Sequence, residues 1–326
     1  MKRILLAVGT CATALLVAVN AAAQSQDYPN RPIRIVVPQA PGSGPDIIAR
    51  AIGQKITESM GQQVIVENRA GANGIIGMEA VAKSKPDGYT LVHAVPSALT
   101  MNPYVYKKRP YDTFKDFVPV TQTADNPFGL LVNPGLPVRT VKELVALGRA
   151  RPSQLDYASF GIGNQTHLAG ELFALATNLK LTHVPYKGQT PAVTDLIGGQ
   201  IALLFTPLPG AAQHIDSGKL RLLATCGEAR DTIFTNAPTM RESGFPTVII
   251  TGWLGLLAPA GTPKEIVNHL QSDVAKHLQT AEMKDTFTRN GTKPVGSTPE
   301  QFERFIKSEA QKWSSVIKQA GLEFTQ

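Results

Sequence analysis

The chain reads as an α/β protein of two lobes, the first discontinuous and joined to the second by two crossover segments. Three observations point there. Short runs rich in β-branched residues alternate with helical periods along most of the sequence, the pattern of parallel strands covered by helices. Two stretches, Ile33 to Gly61 and Leu155 to Asn178, repeat one strand–turn–helix design. Two extended apolar segments, Val118 to Val132 and Ile249 to Ala258, stand where a chain would leave one lobe and later return.

The N-terminus reads as a targeting signal. Lys2 and Arg3 are followed by an uncharged apolar run from Ile4 to Val19 and by Ala21-Ala22-Ala23, small residues suited to cleavage. Cys11 sits too early in that run for a lipoprotein cysteine. The reading is a signal peptide over 1–23, cleaved near Ala23, and an exported, periplasmic protein beginning near Gln24; an uncleaved anchor is the alternative. Removing Lys2 and Arg3 takes the 32 basic residues to 30 against 25 acidic ones, a formal +5. The bases are scattered, the longest run being Lys107-Lys108-Arg109, with no aromatic-interleaved stripe, so nucleic acid is not an expected partner. Cys226 has no second cysteine to pair with in the mature chain, and zinc-type spacing is absent, so neither a disulfide framework nor a cofactor is expected.

The chain is organised around its first strand–turn–helix unit. Ile33, Ile35, Val36 and Val37 form a short buried-strand run that breaks at Pro38. Ala40-Pro41-Gly42-Ser43-Gly44 is a turn of small residues. Ser43 or Gly44 suits the N-cap, Pro45 the first helical position, and Asp46 places a negative charge in the first turn. Ile47, Ile48, Ala51, Ile52, Ile56 and Met60 then recur at helical spacing until Gly61 stops the helix. Free backbone N–H groups at such a helix start suit an anion.

Next come a strand at Gln63–Glu67, a turn-rich loop from Asn68 to Gly74, a helix near Ile75 to Lys83, the turn Pro86-Asp87-Gly88 and a strand from Tyr89 to Ala94. This βαβαβ order places ligand-binding positions at the carboxyl ends of the strands, where residues 38–45 and Ser97 fall. Pro103 to Pro119 reads as a surface loop anchored by Tyr104, Tyr106, Tyr111, Phe114 and Phe117. Val118 to Val132 reads as two extended runs separated by Ala124-Asp125-Asn126-Pro127.

The second unit has a strand at Leu155–Ser159, the turn Phe160-Gly161-Ile162-Gly163, a cap at Asn164 or Thr166 and a helix to about Ala176. Strands at 182–185, 201–205 and 220–225 and a helix near Pro191 to Ile197 complete a second small sheet. Three helices follow the return crossover and are expected to pack back on the first sheet. The domains are then 24–124 with 251–326, and 125–250, the two crossovers forming a hinge.

The fragments YPNRPIRIVVPQAPGSGPDIIAR, GQQVIVENRAGANGIIG, PDGYTL, YASFGIGNQTHLAGELF, VPYKGQTPAVTDLIGGQ and GWLGLLAPAGTP, in this order, resemble the Bug-type periplasmic solute receptors of tripartite tricarboxylate transporters. The resemblance implies a two-lobed, type II-like periplasmic-binding-protein fold, a Venus flytrap. It also implies a monomeric, non-enzymatic receptor that closes on a small organic carboxylate and presents it to a membrane permease. Ala40 to Asp46 and Ser159 to His167 match the loops that hold the carboxylate in such receptors. The chain differs from the usual pattern at Gln39, commonly aromatic, at Gly42-Ser43, commonly a glycine pair, and at Asn164, commonly serine.

The candidate ligand-binding residues are therefore Gln39, Ala40, Pro41, Gly42, Ser43, Gly44 and Asp46 in the first loop, and Ser159, Gly161, Asn164, Gln165, Thr166 and His167 in the second. Ser97 and Thr206 join them as strand-end positions. Asp46 is expected to orient its loop, because a carboxylate facing a carboxylate ligand repels it. Other readings are an exported hydrolase using a loop as an oxyanion site, a nucleotide-binding enzyme, and a carboxylate sensor signalling to a partner protein. Gly42-Ser43-Gly44 is not a GxSxG elbow, and Thr166 occupies the third glycine position of a dinucleotide turn, which disfavours the first two.

Overall fold

A computed structural model describes residues 28–322. The expected signal peptide, and Cys11 within it, lie outside the described residues. In the first lobe β1 (Ile33–Val37) pairs in parallel with β2 (Val64–Asn68) on one side and β3 (Thr90–Ala94) on the other, with α1 (Gly44–Met60) and α2 (Ile75–Ala82) as the connecting helices. Ile33, Ile35, Val36 and Val37 are all fully buried. Helices cover both faces of this strand, which is why its sequence is continuously apolar rather than alternating. Gly61 ends α1 in the left-handed conformation at φ 70° and returns its N–H to Thr57 O.

After β3 the structure departs from the sequence reading. Residues 97–105 (α3) are helical, a π turn at Ser97–Met101 running into Asn102–Val105. Ala98, Leu99, Met101 and Val105 have no solvent exposure. Pro103, read as the start of a loop, lies at the beginning of the α-helical turn, where its missing N–H costs nothing. Tyr111 is buried, its hydroxyl donating to Ala98 O, and Phe114 is the exposed member of the aromatic set.

The crossover is one strand, β4 (Phe117–Val132), and not two runs with a break. Irregular registers at Pro119/Thr121 and Gln122/Ala124 take up the misfit that the sequence presents as a turn. The second lobe contains α4 (Val141–Ala150), β5 (Asp156–Ser159), α5 (Gln165–Thr177), β6 (Thr182–Pro185), α6 (Gln189–Ile197), β7 (Leu203–Pro207), α7 (Ala212–Asp216) and β8 (Arg221–Thr225). The return crossover β9 (Thr251–Pro259) lies antiparallel between β3 and β4. α8 (Lys264–Leu278), α9 (Ala281–Arg289), β10 (Lys293–Pro294) and α10 (Pro299–Ala320) complete the chain. The expected second small sheet is part of one ten-stranded sheet, eight strands in the order β2-β1-β3-β9-β4-β7-β5-β6 with β8 and β10 each pairing with β4, because β4 is long enough to belong to both lobes.

Two main cores sit on this sheet. One joins Ile33, Val36, Leu91, Trp253 and Phe302, and the other joins Tyr157, Phe173, Phe205, Leu130 and Trp313. α8 and α9 pack on the first. α10 serves both, with Phe302 and Ile306 in the first core and Trp313, Val316 and Ile317 in the second. Among the described residues no helix is long and apolar enough to cross a membrane.

Gly255 of β9 shows how tightly the hinge strand and α10 fit. A Cβ there would stand 2.0 Å from the Phe302 ring. Gly255→Ala is expected to destabilise the fold by about 1–3 kcal/mol through overpacking alone, since the backbone conformation suits any residue. Urea denaturation measures it, and an unchanged midpoint would mean that Phe302 has room to move.

Candidate functional site

The two loops expected to form the site are the same structure built twice. Each leaves the carboxyl end of a parallel strand, β1 or β5, and enters a helix. Gly42 stands at φ 76° and Gly163 at φ 73°, a left-handed conformation open mainly to glycine. The Ser43 N–H bonds Ala40 O at 3.2 Å and the Asn164 N–H bonds Gly161 O at 3.2 Å. Ile47 N–H then bonds Ser43 O at 3.0 Å, and Leu168 N–H bonds Asn164 O at 3.1 Å.

The side chains follow the same plan. Four residues past each glycine an acceptor takes the glycine's N–H: Asp46 Oδ2 at 2.8 Å from Gly42 N, and His167 Nδ1 at 3.1 Å from Gly163 N. One helical turn later each acceptor is backed, Asp46 by Arg50 at 2.9 Å and His167 by Glu171 at 3.8 Å. Asp46 is buried and also accepts from Asn68 Nδ2 at 2.9 Å. Burial opposes its charge, but the bonds from Arg50, Gly42 and Asn68 outweigh this and hold the carboxyl below its ordinary range. His167 accepts at Nδ1 and is therefore neutral with its proton on Nε2. Burial and the neighbouring His183 push its pKa down to about 3.

The donors left over define the chemistry. Pro45 has no N–H, and the matching Thr166 N–H is taken by Asn164 Oδ1 at 3.1 Å. The N–H groups of Gly44 and Asp46, and of Gln165 and His167, have no acceptor among the described residues. Each helix start thus keeps two unpaired donors beside the positive end of its dipole. Neutral, preformed donors of this kind bind an anion without an arginine.

A third segment brings the loops together. A Cβ at Gly74 would lie 3.4 Å from Pro38 Cβ, at the foot of the first loop, and Asn73 Nδ2 stands 3.4 Å from Gly163 O, at the rim of the second. The family model described as tripartite tricarboxylate transporter family receptor matches residues 48–322. The chain belongs to this receptor family. It is 39% identical to BugT of Bordetella pertussis over 98% of both chains. Among solved structures, an R. palustris protein with adipate is 35% identical, with a TM-score of 0.82 over 90% of this chain and 99% of that one. MatC from Rhodopseudomonas palustris with bound malate is 28% identical, with a TM-score of 0.78 over 89% and 100%. The family's members are solute-binding receptors and not enzymes, and the two-lobed periplasmic-binding-protein fold is theirs.

In this receptor the individual positions serve different ends. Ser43 occupies the N-cap position, but its hydroxyl donates to Ala40 O at 2.7 Å and caps no helix N–H. Ala40, Pro41, Gly42 and Gly44 are exposed, and Gln39 offers its carbonyl to Asn68 Nδ2 at 3.1 Å. Thr166 is buried, accepting from Phe160 N at 2.8 Å, so it tightens the second loop from within. Gln165 reaches the hinge strand, donating to Thr251 O at 2.9 Å. Thr206 lies inside β7, fully buried and bonded to Gln189 Nε2 at 3.1 Å, and Ser97 is buried at the start of α3.

Several contributors escape a sequence reading. Ser159 Oγ is 2.6 Å from His183 Nε2, and the His183 ring stacks on His167 at 3.8 Å between centroids. Tyr157 stacks on His183 in turn at 5.0 Å, so a column of rings underlies the second loop. His93 on β3 pins the first helix start: its Nδ1 donates to Pro45 O at 3.1 Å, and its Nε2 accepts from Thr123 of β4 at 2.9 Å. A carbonyl only accepts, which fixes this tautomer. Burial pushes His93 down to about 4. The i,i+4 pairs Asp46–Arg50 and His167–Glu171 are the one local signal of the anchors. A separate cavity of about 820 Å³ opens on the second lobe between Arg139, Lys142, Arg221 and Phe234, and neither loop lines it.

Proposed function

We propose that the chain is an extracytoplasmic receptor that holds a small organic carboxylate between the loops at 40–46 and 159–167 and delivers it to a tripartite tricarboxylate-type membrane permease. The observation that carries this reading is the matched pair of helix starts, each with two unpaired N–H donors. Bonds from such donors to a desolvated carboxylate are worth about 1.5–3 kcal/mol each, so four of them together span the roughly 8 kcal/mol of micromolar affinity. The adipate and malate of the related structures make dicarboxylates the first class to test. The basic, apolar start of the sequence supports export and cleavage near Ala23, so the receptor works in the periplasm. Residues 24–124 with 251–326 and residues 125–250 are its two domains, hinged at β4 and β9.

Gly44→Trp tests the placement. A side chain at Gly44 meets nothing within 4 Å, and the backbone there needs no glycine. The indole should cover the first loop's donors and weaken adipate or malate binding tenfold or more in calorimetric titration, with thermal stability unchanged. Wild-type affinity in the folded variant would exclude this loop from the site. Thr166 is unsuited to the same test, because its buried side chain holds the second loop together.

A further inference from the structure

The loop between β2 and α2 contains the least comfortable backbone near the site. Ala72 and Asn73 are consecutive non-glycine residues in the left-handed region, at φ 46° and 52°. Alanine gains nothing there, and asparagine tolerates it only when its amide finds local partners. The partners lie far along the chain, one on α3 and one in the second anion loop. Asn73 Nδ2 donates to Asn102 Oδ1 at 2.8 Å and points to Gly163 O at 3.4 Å. Asn102 Nδ2 returns a bond to Asn73 O at 3.0 Å, so the two amides lock in both directions. Asn102 is fully buried, and the next turn of its helix carries Val105 into the second lobe's core. A Cβ at Gly163 would lie 2.8 Å from Val105 Cγ1, so α3 bears directly on the second anion loop.

From this we infer that Asn73 is the clasp between the lobes: it holds the second anion loop, through Asn102 and Gly163 O, in register with the first. It is a positioning residue, with no contact to ligand required of it, and its effect on affinity rests on the carboxylate-binding role proposed above. The strained turn at 72–73 persists because the clasp holds it there. Asn73 and Asn102 belong to the same domain, so opening the lobes must break the Asn73 bond to Gly163 O, and closing remakes it.

Backbone strain and clasp are separable by substitution. Asn73→Gly removes the amide and also removes the strain, so the melting temperature should stay at or above that of wild type. Asn73→Ala removes the amide and keeps the strain, and should melt lower. Asn73→Asp tolerates the backbone but offers only acceptors to Asn102 Oδ1 and Gly163 O, so it should behave at least as badly as glycine at the loop. The first readout is amide hydrogen exchange over 160–167 and 97–105 in ligand-free protein. Asn73→Gly should speed exchange about tenfold at 160–167 and leave β1–β3 unchanged. Unchanged exchange at 160–167 overturns the clasp.

The second readout is adipate and malate affinity, with dissociation rates by stopped flow. Loss of the clasp should raise the dissociation constant about tenfold, mainly through faster release. Faster exchange with unchanged affinity and release overturns the link between clasp and site. Should wild-type protein bind neither dicarboxylate, the carboxylate reading falls, and the exchange experiment still decides the clasp on its own.

Discussion

Asp46→Ala is expected to lower dicarboxylate affinity more than a hundredfold and to cost about 3 kcal/mol of stability. The alanine leaves the Gly42 N–H and Asn68 Nδ2 without their acceptor, and losing hydrogen bonds to a buried charge is costly. Arg50 adds little to that figure, because its side chain is half exposed and regains water. The effect on affinity is larger because Asp46 fixes the turn that aims the free donors of Gly44 and its own N–H. Asp46→Asn should fall between: its oxygen still accepts from Gly42, but its amide faces the donors of Arg50 and Asn68. Titration calorimetry with urea unfolding on the same samples measures both quantities. A stable Asp46→Ala protein with wild-type affinity would show that the first loop holds its shape, or the ligand its place, without this anchor.

Acid should weaken the fold well before its carboxylates titrate. His93 and His167 are buried and neutral, with pKa values pushed down to about 4 and about 3, while imidazoles in the unfolded chain titrate near 6.5. Between those values the unfolded state binds the extra protons, so stability is lost as pH falls from about 6.5 through the folded values. At pH 5 the loss amounts to about 2 kcal/mol for each of the two histidines. His183, also lowered to about 4 by burial, acts in the same direction. Asp46 and Asp231, both held below the usual carboxylate range, lose their contribution only at still lower pH. Urea midpoints at pH 7, 6 and 5 should therefore decline steadily. A flat profile over that interval would mean that these imidazoles titrate in the folded protein as they do in the unfolded chain.

Much of this was readable in the sequence where the cause is local. The β1 and α1 boundaries follow from a β-branched run, a proline and Gly61, all acting on their own neighbours. The duplicated loop is visible because a left-handed turn needs glycine at Gly42 and again at Gly163. What stayed hidden depends on partners far away in the chain. Pro103 looks like the start of a loop, yet residues 97–105 are helical because Ala98, Leu99, Met101 and Val105 are buried by both lobes. The apparent break at 124–127 disappears because β9 pairs along β4 and its bulges absorb the irregularity. Asp46 and His167 stand among the candidates read from the sequence, but their common task, accepting the N–H of the glycine four positions earlier, needs the turn to exist first. Asn73 has no local signal, since its meaning lies in Asn102 and Gly163.

The position of β9 has a consequence for how such a chain reaches its native state. Val92 pairs with Leu257, and half of the sequence lies between them. The first lobe therefore begins the chain and yet cannot be completed until nearly all of it is present, after the second lobe has formed its own strands. Closing so long a span carries a large entropic cost before any pairing rewards it, and topologies dominated by distant pairings fold slowly. The crossover strands that join the lobes are thus also the last seam of the molecule to close, and a chain cut short before Thr251 leaves the edges of β3 and β4 bare for pairing with another chain.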